Sequence, residues 1–104
     1  GDPAGPSEPS GPSRGPVLLR PPNPAEFYPR AARMRGVTGS TIVRVTVSRD
    51  GRVVETAVVR SRPPGVFEEA ARRLARSLTY RPALRDGRPV RAAHRVELVW
   101  RLED

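Results

Sequence analysis

Between Gly39 and Ser61 apolar and polar positions alternate. Thr41, Val43, Val45 and Val47 share one parity, Arg44, Thr46 and Ser48 the other, and only Ile42 sits out of place on the polar side. A period of two predicts a strand with one buried face. Asp50-Gly51 follows and supplies the positive φ of a tight hairpin, as a two-residue turn or as a type I turn closed by Gly51 in a bulge. Val53 to Val59 then predicts the returning strand, but its apolar residues fall on both parities and leave its register open.

Upstream, Pro29 can open a short helix from Arg30 to Arg35 that Gly36 ends, with Tyr28 and Met34 turned to the core. Downstream, Pro63-Pro64-Gly65 breaks the chain. Phe67, Ala70, Ala71, Leu74 and Leu78 then recur at helical spacing, with Arg72, Arg73 and Arg76 outside. Glu68 and Glu69 in the first turn complement the helix dipole, and Tyr80 followed by Pro82 is expected to end the helix. A second Asp-Gly, Asp86-Gly87, predicts the tip of a smaller hairpin or a tight loop. In the last strand, Arg91 to Leu102, Val96, Leu98, Trp100 and Leu102 alternate with Arg95, Glu97, Val99 and Arg101. The expected fold is α+β: a small antiparallel three-stranded sheet with helices on one face, and Arg44, Thr46, Glu97 and Arg101 on the other.

Residues 1–24 differ in kind. They hold eight of the thirteen prolines and read as a flexible Pro/Gly-rich linker ahead of a domain spanning residues 25–104. Val17, Leu18 and Leu19 interrupt the linker, either as a short strand docked on a sheet edge or as an apolar patch with no partner. Nineteen arginines and no lysine give a net charge of +8, spread along the chain rather than gathered into a nucleic-acid footprint, so no nucleic acid is expected. The chain contains no cysteine. That excludes disulfides, thiolate metal sites and a cysteine nucleophile. Gly1 in place of a methionine suggests a piece of a longer protein whose targeting segment lies upstream.

The sequence holds little that is reactive. His94 is the lone histidine, without metal ligands or triad partners at suitable spacing, and reads as a surface or edge imidazole. Asp50 and Asp86 are explained by turn chemistry. No enzyme and no cofactor are expected. The feature with binding potential is an edge: the last strand pairs with one hairpin strand and leaves a flank on which another extended chain, or a second copy, can add.

The motifs together resemble the TonB C-terminal domain family. The resemblance runs from Tyr28-Pro29 through Gly39, Val43, Val45 and Val47 to Asp50-Gly51-Arg52-Val53. It continues in Phe67-Glu68-Glu69-Ala70-Ala71, Tyr80-Arg81-Pro82-Ala83 and Asp86-Gly87-Arg88-Pro89-Val90, and ends at Trp100. Ala25, Glu26 and Phe27 replace the polar, Gln-containing residues of the best-known enteric members, and Leu78 stands where many have Trp. The resemblance implies an αββαβ fold framed by Gly39, Asp50, Gly51, Tyr80, Pro82 and Gly87. It also implies a periplasmic domain of an energy transducer anchored in the inner membrane. Its last strand would receive an extended segment of an outer-membrane transporter, the TonB box, as an added strand, with Tyr28, Pro29, Ala93, His94, Arg95, Glu97, Val99 and Arg101 at the contact. An ExbB/ExbD-type motor would act through the upstream part. The alternative is a docking or dimerising module of another envelope machine without a transporter client.

Overall fold

The computed structural model describes residues 11–102. Three strands form the principal sheet: β2 (Gly39–Val47), β3 (Val53–Arg62) and β7 (Ala92–Trp100). The short strand β1 (Val17–Leu18) precedes them. Helix α1 (Arg30–Arg35) follows a 3-10 turn at Pro24–Phe27, and α2 (Glu68–Arg76) lies between β3 and the small strands β4 (Tyr80–Arg81), β5 (Ala83–Arg85) and β6 (Arg88–Val90). The sheet order is β3-β2-β7, all antiparallel, so the strand with the cleanest alternation is the central one.

Burial follows that alternation. Thr41, Val43, Val45 and Val47 are buried beneath the helical layer, as are Val96, Leu98 and Trp100 of β7. From α2 and the residues flanking it, Phe67, Ala70, Ala71, Leu74 and Leu78 fill the other side, as their spacing predicts, and Ala75 joins them. Phe67 stacks on Trp100 with ring centroids 5.0 Å apart. Tyr28 meets both edge-on, at 5.6 and 5.8 Å. Such offset and T-shaped contacts suit the ring quadrupoles. Gly39 is required by proximity, because a Cβ there would lie 2.1 Å from the Arg62 carbonyl oxygen and 2.9 Å from the Phe67 ring.

Strand β3 explains its own unreadable pattern. Its register against β2 slips twice: Ile42 pairs with Arg60 but Val43 with Val58, and Thr46 pairs with Glu55 but Val47 with Val53. Val59 and Val54 are the extra residues, and each is about half exposed, at 46% and 50%. Each bulge flips the parity downstream, so Val53, Thr56, Val58 and Ser61 all pair with buried residues of β2 although their numbers do not alternate.

The two Asp-Gly pairs form different turns. After β2, Gly51 donates to the Ser48 carbonyl at 3.0 Å and Ser48 to that of Arg52 at 2.8 Å. Gly51 has φ +87°. This is the type I turn closed by a glycine bulge. At the second pair both Asp86 and Gly87 have positive φ, 51° and 80°, the type I′ turn of a two-residue hairpin joining β5 and β6.

Two expectations need correction. Met34 does not face the core but is 77% exposed, and Ala32 is the buried residue of α1. Two residues apart on a helix is about 200° of rotation, so only one of the pair can point inward. Helix α2 ends at Arg76 rather than near Tyr80. There the Ser77 N–H and hydroxyl both turn back to the Leu74 carbonyl, at 2.9 and 2.6 Å, while Leu78 stays buried just beyond the last helical turn.

The Pro-rich segment is engaged from Gly11 onward; the first ten residues of the expected linker fall outside the described residues. Val17 and Leu18 pair with Arg81 and Tyr80, which answers the question their apolar character raised. Arg14 forms an isolated bridge with Leu84.

Candidate strand-addition edge

Strand β7 is bonded to β2 on one side through nine consecutive residue pairs, Gly39–Trp100 to Val47–Ala92, without a slip. Among the described residues no strand lies on its other side. In an antiparallel ladder every second residue turns its N–H and C=O outward, so this flank carries a regular row of free donors and acceptors.

The side chains around the flank divide by parity. Ala93, Arg95, Glu97 and Val99 are exposed on the open face of the sheet, and Arg101 is exposed just past the end of the strand. Across β2, Arg44 stands directly opposite Arg95, and Ile42 lies between Arg60 and Glu97. His94 points the other way and is half-buried, its Nδ1 3.1 Å from the Tyr80 hydroxyl and its ring edge-on to that tyrosine. It sits on an edge strand, but on the inward side. Burial raises the Tyr80 phenol to about 12.

The remaining residues with an expected contact role lie elsewhere. The ring of Tyr28 is enclosed by Phe67 and Trp100, its hydroxyl donates to the Val37 carbonyl, and the Arg33 guanidinium lies over it at 5.0 Å. Tyr28 thus braces the last residue of β7 from below instead of standing on the flank. Pro29 is half-buried as the residue preceding α1. Beside the end of β7, Asn23, Pro24 and Ala25 form a shallow notch of about 440 Å³ with Val99, Arg101 and Leu102. No periodicity marks Asn23 to Ala25, which the Pro-rich composition submerges.

The other outer strand is unlike β7. Both bulges lie on β3, whose exposed residues include Glu55, Arg60 and Arg62. Bulges and charges of this kind disfavour edge-to-edge pairing. Elsewhere, the Gly65 N–H donates to a Glu68 carboxylate oxygen at 2.7 Å and holds that carboxyl below its usual range. Asp50 is likewise lowered, chiefly by the Ser48 hydroxyl.

Comparison with known proteins gives a consistent set of likenesses. The family model for the Gram-negative bacterial TonB protein C-terminal region matches residues 24–102. Protein TonB of Pseudomonas aeruginosa is 31% identical over 75 residues, which is 72% of this chain and 21% of that protein. The chain therefore spans about a fifth of the length of that relative. The solution NMR structure of the Pseudomonas aeruginosa TonB C-terminal domain matches with a TM-score of 0.65 at 27% identity, covering 86% of this chain and 88% of the other.

Proposed function

The chain belongs to the TonB C-terminal family, and from that premise we propose that it is the periplasmic, non-enzymatic interaction domain of a TonB-like energy transducer. It captures an extended segment of an outer-membrane transporter as a strand added to β7, and passes to that segment a pull generated at the inner membrane by an ExbB/ExbD-type motor. The observation that carries this reading is the contrast between the two outer strands. The β7 flank is nine residues long and in register, while β3 is interrupted at Val54 and Val59. Several backbone hydrogen bonds formed along β7 resist a load along the strand together, yet each contributes only about 0.5–1.5 kcal/mol net and the complex stays reversible.

The exposed side chains Ala93, Arg95, Glu97, Val99 and Arg101 would flank the incoming segment, and the notch at Asn23 to Ala25 would receive the residue that passes the end of the strand. His94, Tyr28 and Pro29 would act from beneath, holding β7 straight. Titration of the isotopically labelled chain with transporter-derived extended peptides tests this. Amide shifts should concentrate on Ala92 to Trp100; shifts confined to β3, or none on β7, would sink the proposal. Light scattering over a concentration series separates peptide capture from edge-to-edge pairing of two copies.

A further inference from the structure

The segment Pro12–Leu19 is held against the domain in a way that no binding role for β7 requires. It runs antiparallel to the stretch from Thr79 to Gly87. Gly87 donates its N–H to the Pro12 carbonyl at 2.8 Å and Asp86 to the Ser13 hydroxyl at 3.0 Å. Arg14 and Leu84 exchange both backbone bonds at 2.9 Å. Val17 and Leu18 pair with β4, and Leu19 donates to the Thr79 carbonyl at 3.1 Å.

This attachment is thin in side chains. Only Leu18 packs against the core, while Val17 and Leu19 are 45% and 51% exposed. Pro12 and Pro16 have no N–H to offer. Solvated backbone bonds with little buried apolar contact are the kind that open locally while the rest of a domain stays folded. The surface beneath is anchored independently, because Tyr80 donates its N–H to the Gly51 carbonyl at 2.9 Å and its hydroxyl meets His94.

We infer that Pro12–Leu19 is a releasable strap, a length of chain that peels from β4 and β5 under tension from upstream before the β2–β7 ladder is loaded. This rests on the reading that pull enters through the Pro-rich segment. A load from that side reaches the Pro12 contact first, then the Arg14–Leu84 pair, then Val17–Leu18, so the bonds are strained one after another. The nine pairs of β7 are backed by buried Val96, Leu98 and Trp100 and do not open until the core does. Eight residues released from the surface have a contour of up to about 28 Å, and the tether gains that contour less the distance the docked strap already spans, while the three-stranded sheet keeps its shape.

Optical-trap stretching of the 104-residue chain between its two ends tests this. The expected trace has an early low-force lengthening, shorter than the roughly 28 Å contour of the strap, before the main unfolding event. Because the chain has no cysteine, the strap can be locked with Val17→Cys and Arg81→Cys, which are directly paired, or with Arg14→Cys and Leu84→Cys at the second bridge. The early step should vanish in the chain oxidised at 14 and 84, and should shrink to the stretch upstream of Val17 in the chain oxidised at 17 and 81; both should revert with reductant, which also shows that the variants fold. A single event in the unlocked chain, an early step that survives the lock at 14 and 84, or one of full length in the chain locked at 17 and 81, would overturn the strap. Neither outcome depends on a partner, so the strap and peptide capture by β7 stand or fall separately.

Discussion

The Trp100 indole N–H donates to the Thr41 hydroxyl at 3.1 Å, across a pair of strands and with both residues fully enclosed. It joins the central strand to the strand proposed to bind, and it gives the one polar atom of the indole its partner in the core. Thr41→Val keeps the shape and removes the acceptor, so it should cost about 1–3 kcal/mol, read by urea unfolding with the single tryptophan as probe. Thr41→Ser keeps the bond and should cost less. The reverse order would assign the effect to packing of the threonine methyl.

Gly51 and Gly65 both have φ near +85°, at +87° and +84°, but their surroundings differ. A Cβ at Gly51 would lie 2.1 Å from the Tyr80 carbonyl oxygen, whereas at Gly65 nothing lies within 4 Å. Gly65→Ala should therefore cost only the left-handed conformation, about 1–2 kcal/mol. Gly51→Ala should cost that and about 1–3 kcal/mol more for displaced backbone. Equal losses in thermal unfolding would mean that the approach of Tyr80 does not matter.

Tyr80 makes the domain sensitive to alkali. Its ionised form is disfavoured in the folded chain, where the phenol titrates at about 12 against 10.0 when exposed. The folded state thus holds more protons in that window, and stability should fall as pH rises from 10 towards 12. With no lysine or cysteine in the chain, tyrosine is the only side chain expected to change charge there. Tyr80→Phe should flatten the urea midpoint against pH; an unchanged slope would place the sensitivity elsewhere.

Arg44 and Arg95 are exposed and directly opposed, an arrangement that destabilises a strand pair. Arg95→Glu should raise stability by about 0.2–1 kcal/mol in dilute buffer. The gain should shrink at about 1 M salt, where the screening length is near 3 Å. A gain that survives salt would point to strand propensity instead of charge.

Much of this fold is legible in the residues because one face of each long strand is buried and the other is wet. Val43, Val45 and Val47 announce β2, and Val96, Leu98 and Trp100 announce β7 in the same way. Helix α2 is read from Phe67, Ala70, Ala71 and Leu74, but not its end, since Leu78 keeps the apolar spacing after the helix has closed at Ser77. Strand β3 hides because two inserted valines scramble a period that is otherwise present. The two Asp-Gly turns differ in type although the dipeptide is the same, and each is met by a distant segment, Gly51 by Tyr80 and Gly87 by Pro12, contacts that local sequence does not encode. For the candidate site, the exposed parity of β7 is readable. The inward bond of His94, the bracing position of Tyr28 and the notch beside Ala25 depend on segments distant in sequence meeting in space.

The two bulged valines of β3 also set the valence of the sheet. A sheet with two regular flanks accepts a neighbour on each side, and every added copy presents a fresh flank, so growth need not stop. Here the ladder is irregular on one side. A single addition at β7, as proposed, would therefore saturate the sheet, whether the newcomer is a foreign segment or a second copy. The expected consequence is stoichiometry: complexes through this sheet would close at two members and would not propagate into fibres.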